Sequence, residues 1–557
     1  MRLRRREVFA ACALAVALAM GLSLRNGFVY DDLPAIVQNS RVTDPTQWHT
    51  IAASPYWLGT LWRPLTVAGF ALQWRLGQGA PWIFHLTLLL GYLGCGLALY
   101  ALLRRLAVRE LPALAATLLF LVHPVHVEVV ANGVGQAELW TALALLTATS
   151  IYLDARRTGV TAGVVLALLA IVAIGIAAKE QGFMAPLLLG GAEWLLAPGE
   201  TRDEGREKGI RIARVARRAR LLVPVTALTL LLLVVRAGVL TGFAGDTPAM
   251  ALRGLGPGAR AVTFLGVIPE YVRLLFWPLH LQADYGPPGI PVGGPVAARH
   301  IAGAILLIGY IALFALARRR APTAAFGLWW AAVTLAPVAN LLVPTGIVMA
   351  ERVLFLPSIG LAIALGAMLN KRDERRETRD VWGVRIPIAA LVIWGVVLGV
   401  RSATRVPTWS TQRRFYSDLT DDAPRAYRAW KGAGEYWEGA GDHPRAIANL
   451  RHALQLWPHD YEVNERLGQF LRTDGQCAAA VPVLAAGVRL EPEAPSLRAK
   501  LIECLLTEHQ WDLADRYAAL ALALGQTEFQ SERERVERLR AAAASGTHTT
   551  THRDSVP

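Results

Sequence analysis

Charge is scarce in this chain. Asp, Glu, Lys and Arg make up 18% of its 557 residues, 54% are hydrophobic, and the mean hydropathy is +0.35. That is too little charge for an ordinary soluble domain and is the composition of a multi-pass membrane protein. Cysteine is nearly absent as well, with four residues and no metal-ligand spacing among them. Cys12 and Cys95 sit in apolar runs and read as inert packing residues. Cys477 and Cys504 can pair only if the tail lies in an oxidising compartment. Acidic residues are scarce in one part only: residues 1–400 hold 22 Asp and Glu against 37 Lys and Arg, whereas the remainder holds 21 against 20. The basic excess belongs to the apolar part, so it is a topology signal and does not indicate nucleic-acid binding.

Met1 to Arg6 carries four arginines ahead of an apolar run from Val8 to Leu24. Ala17-Leu18-Ala19 resembles a signal-peptidase site, but a retained first span fits better with the many spans that follow. Either reading puts residue 25 outside. Further apolar runs of about the ~20 residues a helical span requires cover 82–103, 106–122, 129–153, 160–178, 183–197, 221–240, 300–317, 323–343, 353–369 and 386–400. With the first run this predicts about eleven spans. Arg104-Arg105, Arg156-Arg157, the 202–220 run, Arg318 to Arg320 and Lys371 to Arg379 then all fall on the amino-terminal, inner side. The pattern closes only if 261–281 does not cross as a single span. Pro269, Glu270, Arg273 and Pro278 argue for a broken, re-entrant or interfacial piece.

The outer face collects the ionisable residues. Asp31 and Asp32 follow span 1, and Arg63-Pro64 lies in the same Trp- and Pro-rich loop, 25–81. His123, His126 and Glu128 join two spans, with Gln136 and Glu138 farther on. Lys179-Glu180, Arg236, Glu270, Arg273, Asp284-Tyr285 and Glu351-Arg352 come to the same side. Such groups at a bilayer edge are costly and usually face a shared cavity.

After Val400 the composition changes. Pro424, Pro458 and Pro492 are spaced at the 34-residue period of the tetratricopeptide repeat. Trp430, Gly434, Trp437, Ala446 and Ala453 fall at consensus positions of one unit; Leu467, Gly468 and Ala480 do so in the next, and Leu501, Ala514 and Ala521 mark a degenerate third. Small residues are needed where paired helices cross closely, and proline closes the unit. The expected organisation is therefore all-α: a membrane bundle over 1–400, a linker over 401–424, about three repeats over 425–540, and a disordered Ala/Thr/Ser-rich tail over 541–557.

At this point a resemblance is evident. The membrane part resembles the polyprenol-phosphate-dependent glycosyltransferases of the GT-C fold. The whole chain resembles the eukaryotic transmembrane and tetratricopeptide-repeat O-mannosyltransferases and their bacterial relatives. FVYDDLPAIVQN, WRPLT, FLVHPVHVEVVANGVGQAELW, AAKEQGF and NLLVPTGIVMAERVLFLPSIG carry it, together with the repeat tail. Two departures stand out: Gln136, where the family often has Arg, and a tail shorter than in the eukaryotic members. The resemblance implies transfer of one sugar from a lipid-monophosphate carrier to an acceptor outside the membrane, with inversion. An acidic residue of the first outer loop serves as the proposed base, and no bound metal is generally required.

Such chemistry needs a base for the acceptor hydroxyl, cations for the departing phosphate and contacts that hold the sugar in line. Asp31 and Asp32 are the candidate bases, against the alternative that Asp32 merely caps a helix starting near Pro34. Arg63, Lys179, Arg273 and Arg352 are the phosphate candidates. The competing readings are snorkelling for Arg273, and internal ion pairs with the adjacent Glu180 for Lys179 and Glu351 for Arg352. His123 and His126 with Glu128 could form a metal site. Pro124 between them and the lack of a fourth ligand favour contacts to phosphate or sugar, or a structural role, so no cofactor is expected and a divalent metal is the disfavoured option. Glu138, about ten residues into its span, is placed at the floor of a donor pocket or in a hydrogen bond within the bundle.

The expectation is thus an integral membrane glycosyltransferase with a polyprenyl-phosphate-linked hexose donor, mannose being favoured by resemblance alone. The acceptor is expected to be protein docked on the repeats, with an envelope glycan or lipid as the nearest enzymatic alternative. The chain ends without a eukaryotic retention signal, which points to a bacterial inner membrane, with the amino terminus inside and the repeats outside. A transporter or a repeat-displaying scaffold is the competing class. A transporter should place its polar sites at mid-membrane in repeated halves, whereas here the charges gather at one edge.

Overall fold

The computed structural model describes residues 3–56, 61–196, 207–240, 249–370 and 381–544. Among these the chain is helical, and its only strand-like pairings are two isolated bridges, Tyr285 with Met349 and Pro288 with Ala426. It divides into two units. One holds residues 1–285 and 290–418, the other 286–289 and 419–557.

The first unit is a helical bundle built as a multi-pass membrane protein. Six helices are long and apolar enough for a full crossing: Arg5–Arg25, Pro81–Arg105, Ala219–Val239, Ala298–Arg320, Glu351–Leu369 and Ala389–Trp409. A seventh results if Glu110–Leu121 and Pro124–Val130, bent by 52° at their break, count as one. Leu230, Val234, Ile305 and Ile308 stand exposed on two of these helices, apolar surface that a bilayer would cover.

Against eleven predicted spans, the described residues supply six long apolar helices and a set of shorter ones. Ala162–Ala178 and Ala185–Leu196 have 17 and 12 residues. At about 1.5 Å per residue the latter rises only ~18 Å, against a hydrocarbon core of roughly 30 Å. Gln136–Thr158 is long enough but carries Glu138, Asp154, Arg156 and Arg157.

Of the broken, re-entrant and interfacial readings of 261–281, a break at Pro269 is ruled out, because Pro257–Phe276 is one continuous helix; it is not one of the six long apolar helices. Proline removes an intrahelical bond at that turn. Arg299 Nε donates to the Gly266 carbonyl at 2.5 Å, and Gly303 lets its own helix approach the Leu265 carbonyl so closely that a Cβ there would clash.

Two further packing details place the site. Gly327 on Pro322–Leu335 and Gly360 on Phe355–Leu369 face each other; a Cβ added to either would lie 2.4 or 2.3 Å from the other's carbonyl oxygen. This small-residue crossing fixes the end of the second helix, where Arg352 enters. At the opposite ends, Leu3 N donates to Glu110 at 2.6 Å, Arg105 pairs with Asp154 at 2.9 Å and Arg109 N donates to Asn370 at 2.8 Å. The ends carrying Leu3, Arg105, Arg109, Asp154 and Asn370 are thus linked to one another. The loop holding Lys371 to Arg379 is outside the described residues.

Most of the stretch assigned to a linker, 401–424, is helical: Val381–Arg405 runs through its start and Gln412–Asp422 fills its end. The second unit is a stack of helix pairs, Tyr427–Gly439 with His443–Leu456, Tyr461–Thr473 with Cys477–Leu490, and Pro495–Thr507 with Trp511–Ala523, followed by Gln530–Ala544. Ala446, Ala453, Ala480, Ala514 and Ala521 are fully buried between them. Gly434 and Gly468 sit where the paired helix presses closest: a Cβ would lie 2.8 Å from Leu450 and 2.3 Å from Leu484. Most of the predicted disordered tail, from residue 545, is outside the described residues.

Candidate active site

The paired aspartates part company. Tyr30, just ahead of them, adopts a left-handed φ of 53°, a conformation rare for a bulky residue, and it packs against Phe415 at 5.0 Å. The turn that follows sends the two carboxylates in different directions. Asp32 is wholly buried and accepts from Gly133 N at 3.0 Å, Val134 N at 2.8 Å and Val29 N at 3.5 Å. It occupies the position before the Leu33–Val37 turn, but its side chain caps a different element, the Gly133–Gly135 turn. The alternative of a cap on the helix starting near Pro34 is therefore not what the side chain does: it caps an element 101 residues away. Burial pushes Asp32 up to about 7 against the pull of those three N–H groups, with the charge of Asp31 adding to the rise.

Asp31 turns toward Arg352, whose Nη1 lies 2.8 Å from Asp31 Oδ2 and 3.1 Å from Glu128 Oε1. Arg352 N also donates to Glu128 at 2.8 Å. One guanidinium nitrogen, Nη1, thus bridges two carboxylates. Asp31 keeps 13% of its side chain exposed, whereas Glu128 keeps 1%. Of this set, Asp31 is the carboxylate that a second molecule can reach.

A second nest lies close by. Arg63 holds Glu180 through Nε and Nη2, at 3.0 and 2.8 Å to Oε2, and Lys179 pairs with Glu138, all four residues largely buried. Thr66 Oγ1 donates to the Ala178 carbonyl at 2.9 Å, tying the helix after Arg63 to the turn that carries Lys179. Glu138 acts electrostatically on Arg63 and Arg352 alike, so the two nests form one charged region. Neither predicted neighbour pair forms: Lys179 bonds Glu138 rather than Glu180, and Arg352 bonds Asp31 and Glu128 rather than Glu351. Glu138 also sits less deep than predicted, because its helix begins at Gln136 and the residue lies in the first turn.

Four predicted residues are engaged elsewhere. His126 is fully buried, with Nδ1 2.7 Å from Tyr92 Oη and Nε2 2.9 Å from Ser358 Oγ. His123 places Nε2 3.1 Å from the Leu275 carbonyl while its Nδ1 accepts from Val125 N. Both imidazoles thus stitch the bundle together instead of joining the Asp31 group. Glu351 accepts from Tyr285 Oη at 2.7 Å and Gln282 N at 2.6 Å, and Arg273 bonds Glu270 and the His280 carbonyl. These last two belong to the 270–285 region. Among the described residues no three His, Cys, Asp or Glu side chains are grouped to hold a metal ion. Gln136 forms a reciprocal amide pair with Gln73, 2.8 Å each way.

One residue at the site gave little sign in the sequence. Tyr56 is 3% exposed and lies under Arg63, whose guanidinium carbon is 5.1 Å from the ring centroid. Its only sequence signal was its place in an aromatic-rich outer loop.

No family model matches the chain. Among curated proteins, Protein O-mannosyl-transferase TMTC3 of Mus musculus is 27% identical over 491 residues, 82% of this chain and 51% of that protein. Protein O-mannosyl-transferase Tmtc1 of Drosophila melanogaster is 27% identical over 79% of this chain and 60% of its own length, and TMTC4 of Mus musculus is 27% identical over 78% and 64%. The chain thus spans about half to two thirds of the length of these relatives. Among solved structures, the TPR domain of P58(IPK) aligns at a TM-score of 0.22 with 11% identity, covering 71% of this chain and 99% of that one. Over some four fifths of its length this chain is similar to proteins named as O-mannosyl-transferases of the TMTC kind.

Proposed function

We propose that the protein is an integral membrane glycosyltransferase. It moves one hexose, mannose by analogy with its relatives, from a polyprenyl-phosphate carrier to an acceptor hydroxyl of protein Ser or Thr, with the acceptor held by the repeats. The observation that carries the reading is the split of the aspartate pair: Asp32 is spent on backbone N–H groups, and Asp31 is left partly accessible beside a buried cation. Asp31 takes the proton of the acceptor hydroxyl, whose oxygen attacks the anomeric carbon. The bond from that carbon to the phosphate oxygen breaks, and polyprenyl phosphate leaves with the electron pair, so a single displacement inverts the centre. Arg352, Arg63 and Lys179 offset the charge that builds on the phosphate.

The basic ends gathered around Arg105, Asp154 and Arg109 would face inward and the Asp31 group outward, by the positive-inside rule. Full crossing by about eleven segments, as in a GT-C bundle, would need the shorter apolar helices to complete spans within the protein interior. The reading is tested with purified protein in detergent, a polyprenyl-phosphate-linked mannose and a Ser/Thr peptide. Inverted-linkage mannosyl peptide is expected from the wild type and is expected to form about 10²–10⁴-fold more slowly with Asp31→Asn. Transfer by the variant at the wild-type rate overturns the base assignment, and product on an envelope glycan or lipid alone redirects the acceptor.

A further inference from the structure

Tyr56 carries a buried polar atom that the fold does not use. Its Oη has no hydrogen-bond partner among the described residues, although the residue is 3% exposed. Buried hydroxyls are almost always paired, and one left open in a charged region calls for a ligand as its explanation. The rest of the residue is firmly held. Its carbonyl accepts from Arg41 Nη2 at 3.2 Å, its N–H donates to the Leu61 carbonyl at 2.5 Å, and its ring packs with Ile36, Val67 and Phe70 in one core cluster under the Arg63 guanidinium. The hydroxyl is therefore presented on a fixed ring, the pre-organisation that recognition of a small group requires.

Its surroundings identify the ligand's chemistry. Burial is the main influence that raises the pKa of the phenol, followed by Arg63, which opposes the rise, and then by Asp31, Glu138 and Asp32, which add to it. The group thus stays a neutral O–H in the working range, a donor among acids that are already acceptors. Arg63 and Lys179 are each paired with a glutamate, so a phosphate arriving there gains most from a donor that is not committed.

We propose that the Tyr56 hydroxyl donates a hydrogen bond to a phosphate oxygen of the lipid-linked donor, forming with Arg63 and Lys179 the seat that tells polyprenyl phosphate from polyprenol. The proposal rests on the glycosyltransferase reading of the same site. Tyr56→Phe keeps the ring and its packing and removes only the hydroxyl.

The test measures binding of farnesyl phosphate and of farnesol to the full chain in detergent, together with the melting temperature of the unliganded protein. The variant is expected to bind farnesyl phosphate about tenfold more weakly, the size of one hydrogen bond to a charged group. Farnesol affinity should be unchanged, and the unliganded protein should melt no lower than the wild type, since an unpaired buried group has been removed. An unchanged ratio of the two affinities, with or without a drop in melting temperature, assigns Tyr56 a structural role and overturns the proposal while the transferase reading stands. A wild type that does not prefer farnesyl phosphate to farnesol overturns both.

Discussion

Arg352 and Asp31 stand 321 residues apart in the chain, and their side chains meet at 2.8 Å. The contact joins the loop after the first helix to the turn that opens the Phe355–Leu369 helix, and Glu128 completes it from a third element. One guanidinium therefore keeps two carboxylates from repelling each other while leaving Asp31 reachable.

Arg352 should not be replaceable by lysine. The Nη1 that meets both carboxylates is held on a planar guanidinium with further donors left for a phosphate, which a single ammonium on a flexible stem does not supply. Arg352→Gln is expected to lower kcat for sugar transfer by about 10²–10³, the loss typical of removing one pre-organised charge-stabilising donor, and Arg352→Lys should recover only part of it. Steady-state kinetics with a polyprenyl-phosphate-linked sugar measure both, and full activity in the lysine variant would contradict the bridging role.

The two aspartates should fail differently. Asp31→Asn is expected to cost about 10²–10⁴ in rate, the range of a positioned general base, with an unchanged melting temperature. Asp32→Asn should instead destabilise the protein, by about 1–3 kcal/mol for the cap bonds that a single amide oxygen cannot replace. The pH dependence carries a sign as well. Asp32 is raised from 3.8 to about 7 on folding, so its contribution to stability is complete below 3.8 and is lost as pH rises through about 7. Thermal melts of wild type and Asp32→Asn should therefore converge across that window as pH increases. Curves that stay parallel would remove Asp32 as the titrating group.

Lys179 and Glu138 form a buried pair, and breaking it is worse than deleting it. Lys179→Met or Glu138→Leu alone leaves an uncompensated charge and should cost about 3–5 kcal/mol. The double variant should recover most of that stability, while sugar transfer stays impaired because a phosphate-facing cation is gone. Thermal unfolding in detergent gives the coupling energy through a double-mutant cycle; additive losses would show that the two side chains do not meet.

The helical class and the repeat period were legible because each rests on local pattern. A 34-residue proline period and small residues at helix crossings are written directly in the chain. The partners were not legible. Lys179-Glu180 and Glu351-Arg352 look like ready-made pairs, yet adjacent side chains at a turn point apart, and each found its partner elsewhere in the chain. His126 looked like a ligand because its shared face with His123 was visible, whereas Tyr92 and Ser358, which take both its nitrogens, lie 34 and 232 residues away. Span counting from hydropathy exceeds the number of long apolar helices where apolar runs stop short. Hydropathy registers composition, whereas the breaks at Pro124 and before Gln136 are set by local turns.

The repeat unit offers a test that separates acceptor docking from chemistry. Gly468 faces Leu484 so closely that an added Cβ would sit 2.3 Å from its Cδ2, and the leucine is itself fully buried. Gly468→Val must push the two helices of that pair apart, and overpacking of this kind costs about 1–3 kcal/mol. Because stacked repeats depend on their neighbours, the damage should spread along the stack instead of staying local. Leu484→Ala added to Gly468→Val frees the space and should restore part of the stability, which a backbone-conformation effect at Gly468 would not allow. If the repeats hold the acceptor, Gly468→Val should depress transfer to a folded protein acceptor while leaving transfer to a short Ser/Thr peptide near the wild-type rate. Equal loss on both acceptors would instead make the repeats a structural support of the membrane unit.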